Sequence, residues 1–517
     1  MVSTVKDPVL AVISLSGGND GMNTVIPYNN PHYRDYRPAL GVPEDQIIPI
    51  TDQLGFHPAM APLKKYWDEG KLAIIQGIGY PNGSLSHFRS MDIWATCEPE
   101  EIGVTGWLGS VIQDVDPKGE NVLTGVNFGR GLPRSLAKEG VPVASVGDLS
   151  SYGLLTEIGA EAQRTEALDL FGRMYAPAIG QGAVDDYIRR TGIEALQGAD
   201  ILSTAPGLYK SEVEYPSSAM GGYLRDMAQV HNADFGTRVL FTTAPYNIFD
   251  THANQAVGHA NLLQDVSSSI DSFMADIRQL GKSDNVTLFF YSEFGRRAMD
   301  NGSGTDHGTG GVAFVLGDNV KGGLYGEYPS LEPNKLEDGG NLQHNVDFRS
   351  AYTTLLDGWM GLDAKAIIGG AFEPVPFLAE GLAKTLQVNG LAHGRVSDLA
   401  LSDSIGEAAF TIAHDDSELL NVRCSSLTAD VGKGTRTTVK TTTLDAFCVN
   451  ENLERLDFIK IDGSFVRNLL YSSVDRTIVE SISEVAHRLG VKTVAEYVED
   501  IAMIPVLQEA GVDFVQG

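Results

Sequence analysis

The chain has 517 residues, 43% of them hydrophobic and 20% charged, and its 67 acidic against 38 basic side chains give a formal net charge of -29. Such a composition suits a soluble protein with a real core and room for two to four domains of roughly 100–200 residues each. The acid excess works against nucleic acid or an anionic membrane as a general partner. An anionic substrate would need a local cationic site made by a metal or arginines, and adaptation to salt accounts for the acidity equally well. Cys97, Cys424 and Cys448 fit neither a zinc spacing nor a disulfide framework. No apolar run approaches the ~18 residues of a membrane-spanning helix. The N-terminus enters a strand without a charged region, apolar core and cleavage site. Two readings stay open: a cytoplasmic protein, or a periplasmic or otherwise exported one whose N-terminal signal has been lost.

In chain order, Val9 to Leu15 reads as a buried strand running into the glycine-rich turn Ser16-Gly17-Gly18-Asn19-Asp20-Gly21. Lys71 to Gln76 is a second buried strand, and Pro81-Asn82-Gly83 leads to serines that mark a helix start before Phe88. Arg238 to Thr242 is a third strand, followed by a loop through Asp250-Thr251-His252. Leu262, Leu263, Val266, Ile270, Phe273, Met274, Ile277 and Leu280 recur at helical spacing, with Gly281 as the stop. Val286 to Tyr291 is a strand entering Ser292-Glu293-Phe294-Gly295, and Val312 to Leu316 is another. Strands alternating with helices predict an α/β fold with a mostly parallel sheet covered on both faces.

Ligand-type residues follow these strands. Asp20 follows the first, Asp250 and His252 the third and Glu293 the fourth, while His307 directly precedes the last. In open parallel sheets such groups converge in the crevice at the carboxyl ends of the strands. Carboxylates and imidazoles meeting there can hold a divalent metal. Each of them alone also suits a turn. Arg296 and Arg297 can grip an anionic group bidentately or form a surface salt bridge, and Arg89 is a weaker case of the same. His57 and His259 read as structural, and His87 as a packing or supporting residue at a helix start.

The words LSGGNDGMNTVIPY, LAIIQGIGYPNGSLSHFRSMDIW, FDTHANQ, YSEFGRR with NGSGTDHGTGG, VKGGLYGEYPSL and DFRSAYTTLLDGWMGL run in order through residues 8–378. They resemble domain of unknown function 1501, a sulfatase-like family of the alkaline phosphatase superfamily. The resemblance implies an alkaline-phosphatase-like domain over 1–378 with a divalent metal ion and a small anionic ester as substrate. By that resemblance Asp20 matches the aspartate after the first strand, and Asp250 with His252 the pair before the long helix. Glu293 stands where relatives have the aspartate of an Asp-His-Gly motif, and His307 resembles the last metal-binding histidine. Ser86 falls near the usual hydroxyl nucleophile, which metal coordination and helix-end amides would assist; its plainer reading is an N-cap. Phe294 replaces the histidine that would complete a second metal site, and the Asp250/His252 spacing is tighter than usual. A one-metal site, or a decayed site, is therefore set against a two-metal displacement mechanism.

After a linker at 379–395, residues 396–443 are β-rich and polar within a fragment running to 457, and residues 458–517 alternate strand and helix. DLALSDSIGEAAFTI, TVKTTTLDAFC and LDFIKID (396–462) resemble the later part of an FkbM-type methyltransferase, without its S-adenosylmethionine loop. LDFIKIDGSFVRNLL, VKTVAEYVED and AGVDFVQG (455–517) resemble the close of an EAL domain, a TIM-type barrel that hydrolyses cyclic di-GMP. That resemblance puts Lys460, Asp462, Glu496, Glu499 and Gln516 at the active-site ends of barrel strands. The family's Glu-x-Leu motif, its metal-binding Asn and Glu, and its Asp-Asp-Phe-Gly loop are not matched. Three strands of eight form an incomplete TIM-barrel-like region, which argues against cyclic di-GMP as a ligand. The two resemblances share the word FIKID, as two joined fragments would. Three functions are in play: a metal-dependent hydrolase-like protein acting on a phosphate or sulfate ester, a non-catalytic member of that fold with a degraded metal site, and a cyclic di-GMP phosphodiesterase-related protein.

Overall fold

The computed structural model describes residues 7–149, 163, 198–245, 248–337 and 339–379. Further on it describes 399–401, 406–414, 420–426, 434–442, 458–461, 492–495 and 502–515, with single positions and two pairs between 466 and 498. The chain divides into two compact units, Met1–His393 and Gly394–Gly517.

The first unit opens with β1 (Val9–Ser14), and β2 (Val25–Ile26), β3 (Ile48–Pro49) and β4 (Gly55–Phe56) form a small sheet in the order β2-β4-β3. The remaining strands are β5 (Leu72–Gly79), β6 (Gly125–Phe128), β7 (Ala144–Val146), β8 (Val239–Thr243), β9 (Val286–Tyr291), β10 (Gly295–Asp300), β11 (Thr305–Gly308), β12 (Gly311–Leu316), β13 (Gly323–Tyr325) and β14 (Val346–Asp347). A nine-stranded sheet runs β13-β5-β12-β9-β1-β8-β6-β7, with β14 pairing β5. β12 is antiparallel to both of its neighbours, and the other pairings in this sheet are parallel.

The mostly parallel α/β expectation holds, and the side chains show why. All six residues of β1 are buried, as a central parallel strand requires. Strand alternation sends Val9, Ala11 and Ile13 into one core and Leu10 and Val12 into the other. The first core lies under the helices Ala219–Asn232 and Gln255–Gln279. The second lies under His87–Thr96, Trp107–Val115 and Phe348–Thr353. Strands β6, β7, β13 and β14 give no sequence signal, because runs of two to four residues carry no usable period.

The long helix starts at Gln255, not near Leu262, and stops before Gly281, whose φ is +67°. Its first two turns lack an apolar stripe because they are buried through polar contacts. His259 Nε2 donates to Asn19 Oδ1 at 2.8 Å, and its ring lies edge-on to His57, 6.1 Å away.

In the second unit, β15 (Leu399–Leu401), β16 (Gly406–His414), β17 (Leu420–Ser426) and β18 (Gly434–Thr442) make a sheet ordered β15-β18-β16-β17. β19 (Phe458–Ile461), β20 (Lys492–Ala495) and β21 (Phe514–Val515) pair in parallel in chain order. Val466, Leu469, Val479, Ala495, Met503 and Leu507 form a core there, to which the helix Met503–Glu509 contributes. β19, β20, the helix Met503–Glu509 and β21 fall where the sequence predicts strand, strand, helix and strand, and the helix expected over 476–489 lies outside the described residues apart from single positions and a pair.

Burial pushes the imidazoles of His57 and His259 down to about 4. The unfolded chain, with histidines near 6.5, takes up these protons first, so stability is full above about pH 6.5 and falls as the pH drops towards 4. For His259 the loss is on the order of 3 kcal/mol. Melting of the wild type across that range should therefore shift downward with acid. His259→Gln, which keeps a donor for Asn19, should flatten the slope; an unchanged slope would refute the assignment.

Candidate metal centre

Four segments converge at one end of the sheet: the glycine-rich turn after β1, the loop after β8, the Glu293-Phe294 step after β9, and the start of the helix His87–Thr96 that follows β5. The β10–β11 hairpin closes the group, its antiparallel register placing Arg296 opposite His307. Gly17 and Gly18 have φ of +122° and +74°, and neither position has room for a side chain. A Cβ on Gly17 would lie 2.5 Å from the Asp250 nitrogen, and one on Gly18 would lie 2.3 Å from the Phe294 ring.

Asp250 is the meeting point. Its Oδ1 accepts from Arg296 Nη2 at 2.7 Å and lies 3.1 Å from His307 Nε2 and 3.0 Å from His252 Nε2. His252 Nε2 and His307 Nε2 are 2.9 Å apart. His307 Nδ1 donates to the Leu85 carbonyl at 2.7 Å, which turns its Nε2 towards Asp250. His87 Nδ1 is bound to Glu293 Oε1 at 2.7 Å. His87 Nε2 lies 3.3 Å from Asp250 Oδ2, yet it is buried without a hydrogen-bond partner. Ligand atoms of His87, Asp250 and His307 all fall within 4.8 Å of one another.

Burial raises the Asp250 carboxyl, but hydrogen bonds from Arg296 and His307 outweigh it and hold the group at about 2. The Glu293 hydrogen bond raises the His87 imidazole above its ordinary value against the opposing effect of burial. A cation at His87 would compete with the proton that the Glu293 hydrogen bond helps it to hold. The donor set fits a divalent metal. Two imidazoles have one nitrogen fixed by a carboxylate or a carbonyl and aim the other inward, as metal-binding histidines do.

The structure separates the predicted residues. Asp250, His252 and His307 come together. Asp20, expected as a ligand, is fully buried with both carboxylate oxygens committed elsewhere. Arg37 engages both oxygens, Gln255 donates to Oδ2, and the Asn23 amide donates to Oδ1 at 3.2 Å. Burial opposes ionisation of Asp20, but the Arg37 guanidinium holds it below the usual carboxylate range. Glu293 sits one step back: it receives the Gly17 amide at 2.9 Å and orients His87.

Arg296, expected to grip a substrate anion, is buried with its guanidinium spent on the carbonyls of Gly17, Gly18, Phe249 and Thr305 and on Asp250. It is a clamp. Arg89 likewise binds Asp92 and the carbonyls of Glu98, Pro99 and Glu101. Ser86 is the N-cap residue, exposed, and its hydroxyl makes no capping bond. Phe294 packs on the rings of His87 and His307 at 4.8 and 4.9 Å.

His87 does more than the packing or supporting residue its sequence position suggests. Its placement one residue past Ser86, at the start of a helix that follows a parallel strand, was the available signal. Lys460 lies on β19, opposite Val494. Asp462, Glu496, Glu499 and Gln516 lie outside the described residues.

Fold and cluster together define an α/β domain with a histidine–carboxylate centre at the carboxyl ends of its strands. Residues 227–369, which supply Asp250, His252, Glu293, Arg296 and His307, match the family model described as Protein of unknown function (DUF1501). Residues 451–517 match the EAL domain. The chain is 45% identical over 62 residues to the cyclic di-GMP phosphodiesterase PdeB of Shewanella oneidensis, covering 12% of this chain and 7% of that protein. It is 43% identical over 61 residues to the cyclic di-GMP phosphodiesterase PdeF of Escherichia coli, covering 12% and 8%. The chain thus spans under a tenth of the length of either relative. Among solved structures, the PsFucS1 sulfatase from Pseudoalteromonas sp. is similar with a TM-score of 0.31 and 11% identity, covering 84% of each chain. The phosphonate monoester hydrolase SpPMH from Silicibacter pomeroyi has a TM-score of 0.27 and 9% identity, covering 79% of this chain and 80% of its own.

The Asp20–Arg37 pair makes a direct prediction. Removing one partner of a buried ion pair strands the other charge, so Arg37→Met should cost about 3–5 kcal/mol. Denaturant titration followed by tryptophan fluorescence reads this unit alone, since all four tryptophans (Trp67, Trp94, Trp107 and Trp359) lie in it. A cost below about 1 kcal/mol would show that Asp20 does not depend on Arg37.

Proposed function

We propose that the first unit is a metal-dependent hydrolase-like domain acting on a phosphate or sulfate ester, with one divalent cation held by His87, Asp250 and His307 and with His252 beside them. The observation that carries the reading is the buried, unpartnered Nε2 of His87, aimed at Asp250 while its other nitrogen is fixed by Glu293. An orphaned buried nitrogen is costly unless something binds it. The resemblance over residues 8–378 points to the same chemistry. Phe294, standing where a further histidine would be needed, favours one metal over two.

A cation held there supplies Lewis-acid stabilisation for charge that builds on an ester oxygen. The chain's own residues do the rest. Arg296 fixes Asp250, and Glu293 fixes His87. The hydroxyl of Ser86, free of capping duty, is available as the nucleophile, and the uncapped start of the helix His87–Thr96 favours a bound anion. His252, 44% exposed and in contact with Asp250 and His307, is placed to carry a proton to or from solvent.

The full chain purified without chelator should carry about one divalent cation, as a single set of three protein donors with an open position implies. His87→Ala and His307→Ala should lose it, and Glu293→Gln should bind it roughly 10–100-fold more weakly. Metal analysis together with a screen of aryl phosphates and sulfates checks this. A folded chain with neither metal nor turnover would reject the reading in favour of a non-catalytic member of the fold. Hydrolysis that survives Asp250→Ala would sink the site assignment.

The EAL match favours a second reading for the other unit, kinship with cyclic di-GMP phosphodiesterases. Residues 451–517 contain no Glu-Ala-Leu. The full chain with cyclic di-GMP and magnesium is expected to show no hydrolysis above a buffer control, and measurable turnover would overturn that expectation.

A further inference from the structure

A cleft of about 570 Å³ opens beside the metal centre, lined by residues at the carboxyl ends of β1, β8 and β9 and by one face of the helix His87–Thr96. Its size is that of a small-molecule site. Glu293, which holds His87, is part of the wall, so the cleft begins one residue from the proposed ligands. The cluster itself uses none of the remaining space.

The wall has a definite chemistry. Phe88 is 85% exposed and Leu132 55% exposed, although both are large and apolar, and both line this cleft with Met91. Large apolar side chains left in solvent around one concavity mark a binding surface. The charged groups are uneven. Glu293 is committed to His87 and Gly17, and Asp92 is paired with Arg89 at 2.9 Å and Arg134 at 3.4 Å. Arg130 is exposed in the same wall and has no ion pair among the described residues. In a chain of net charge -29, the cleft therefore offers an uncompensated cation beside an apolar and aromatic surface.

We propose that this cleft takes the organic group of the ester, that this group is an aromatic ring, and that Arg130 attracts the negative charge the substrate carries. This rests on the metal-site reading and narrows its substrate class to anionic aryl esters. The ring packs against Phe88, Leu132 and Met91, and offset or edge-on contact with the exposed Phe88 ring is favourable. Small alkyl esters leave that surface wet.

Binding of two stable probes, phenylphosphonate and methylphosphonate, to the full chain by calorimetry tests the proposal without depending on turnover. Phenylphosphonate should bind about tenfold more tightly, the gain expected from burying part of a ring. Phe88→Ala should reduce that ratio to about two or less. Arg130→Met should weaken both probes by about threefold or more and leave their ratio unchanged. Both side chains are exposed, so neither variant threatens the fold. Equal affinity for the two probes, no measurable binding of either, or a ratio that survives Phe88→Ala would overturn the proposal. Metal analysis of the same samples separates the two readings. Bound metal without a phenyl preference overturns the cleft alone, and a phenyl preference without metal supports the cleft and overturns the metal centre.

Discussion

The site depends on the buried guanidinium of Arg296. A charged group so far from water is tolerated only if its donors find acceptors. Here it binds the carbonyls of Gly17 and Gly18, of Phe249 and of Thr305, and the carboxylate of Asp250. Those acceptors come from the turn after β1, the loop after β8 and the β10–β11 hairpin. One side chain thus fixes three segments that are far apart in sequence. It also keeps Asp250 ionised and turned towards the histidines.

A second buried pair does related work a few residues away. Arg37 holds Asp20 and also donates to the carbonyls of Ala298 at 2.7 Å and Arg297 at 3.0 Å. The glycine-rich turn is therefore anchored to strand β10 twice, through Arg37 and through Arg296, which lies on that strand. Rigid supports of this kind are what a binding centre needs, because its ligand groups must already point inward before anything binds. Burying both guanidiniums is costly, and the fold offsets that cost with carbonyls left free at strand ends and turns.

With the carboxylates so arranged, the histidines take distinct parts. His57 and His259 are buried, neutral and structural. His87 and His307 each have one nitrogen tied down and the other facing Asp250. His252 stays at the solvent edge and completes the group through its contacts with Asp250 and His307. Phe294 closes one side of the cluster by packing on the rings of His87 and His307.

Much of the fold could be read directly in the sequence. The buried run Val9 to Leu15, the helical period from Leu262 to Leu280 and the stop at Gly281 follow from side-chain periodicity and glycine's freedom at positive φ. Such local physics acts within a few residues and survives in a linear string. The same string placed ligand-type residues at strand ends, and Asp250, His252 and His307 do meet there. What only the tertiary structure decided is which lone pairs are free. Asp20 and Glu293 look like ligands in sequence, but an arginine 17 residues on saturates the first, and a backbone amide 276 positions away helps to engage the second. In sequence His87 looks like a packing residue, but the strands bring Glu293 to one nitrogen and turn the other towards Asp250. Arg296 looked like a hand held out to substrate, and carbonyls from three loops occupy it. Hydrogen-bond capacity is used up by neighbours in space, and neighbours in space are what a sequence of residues does not state.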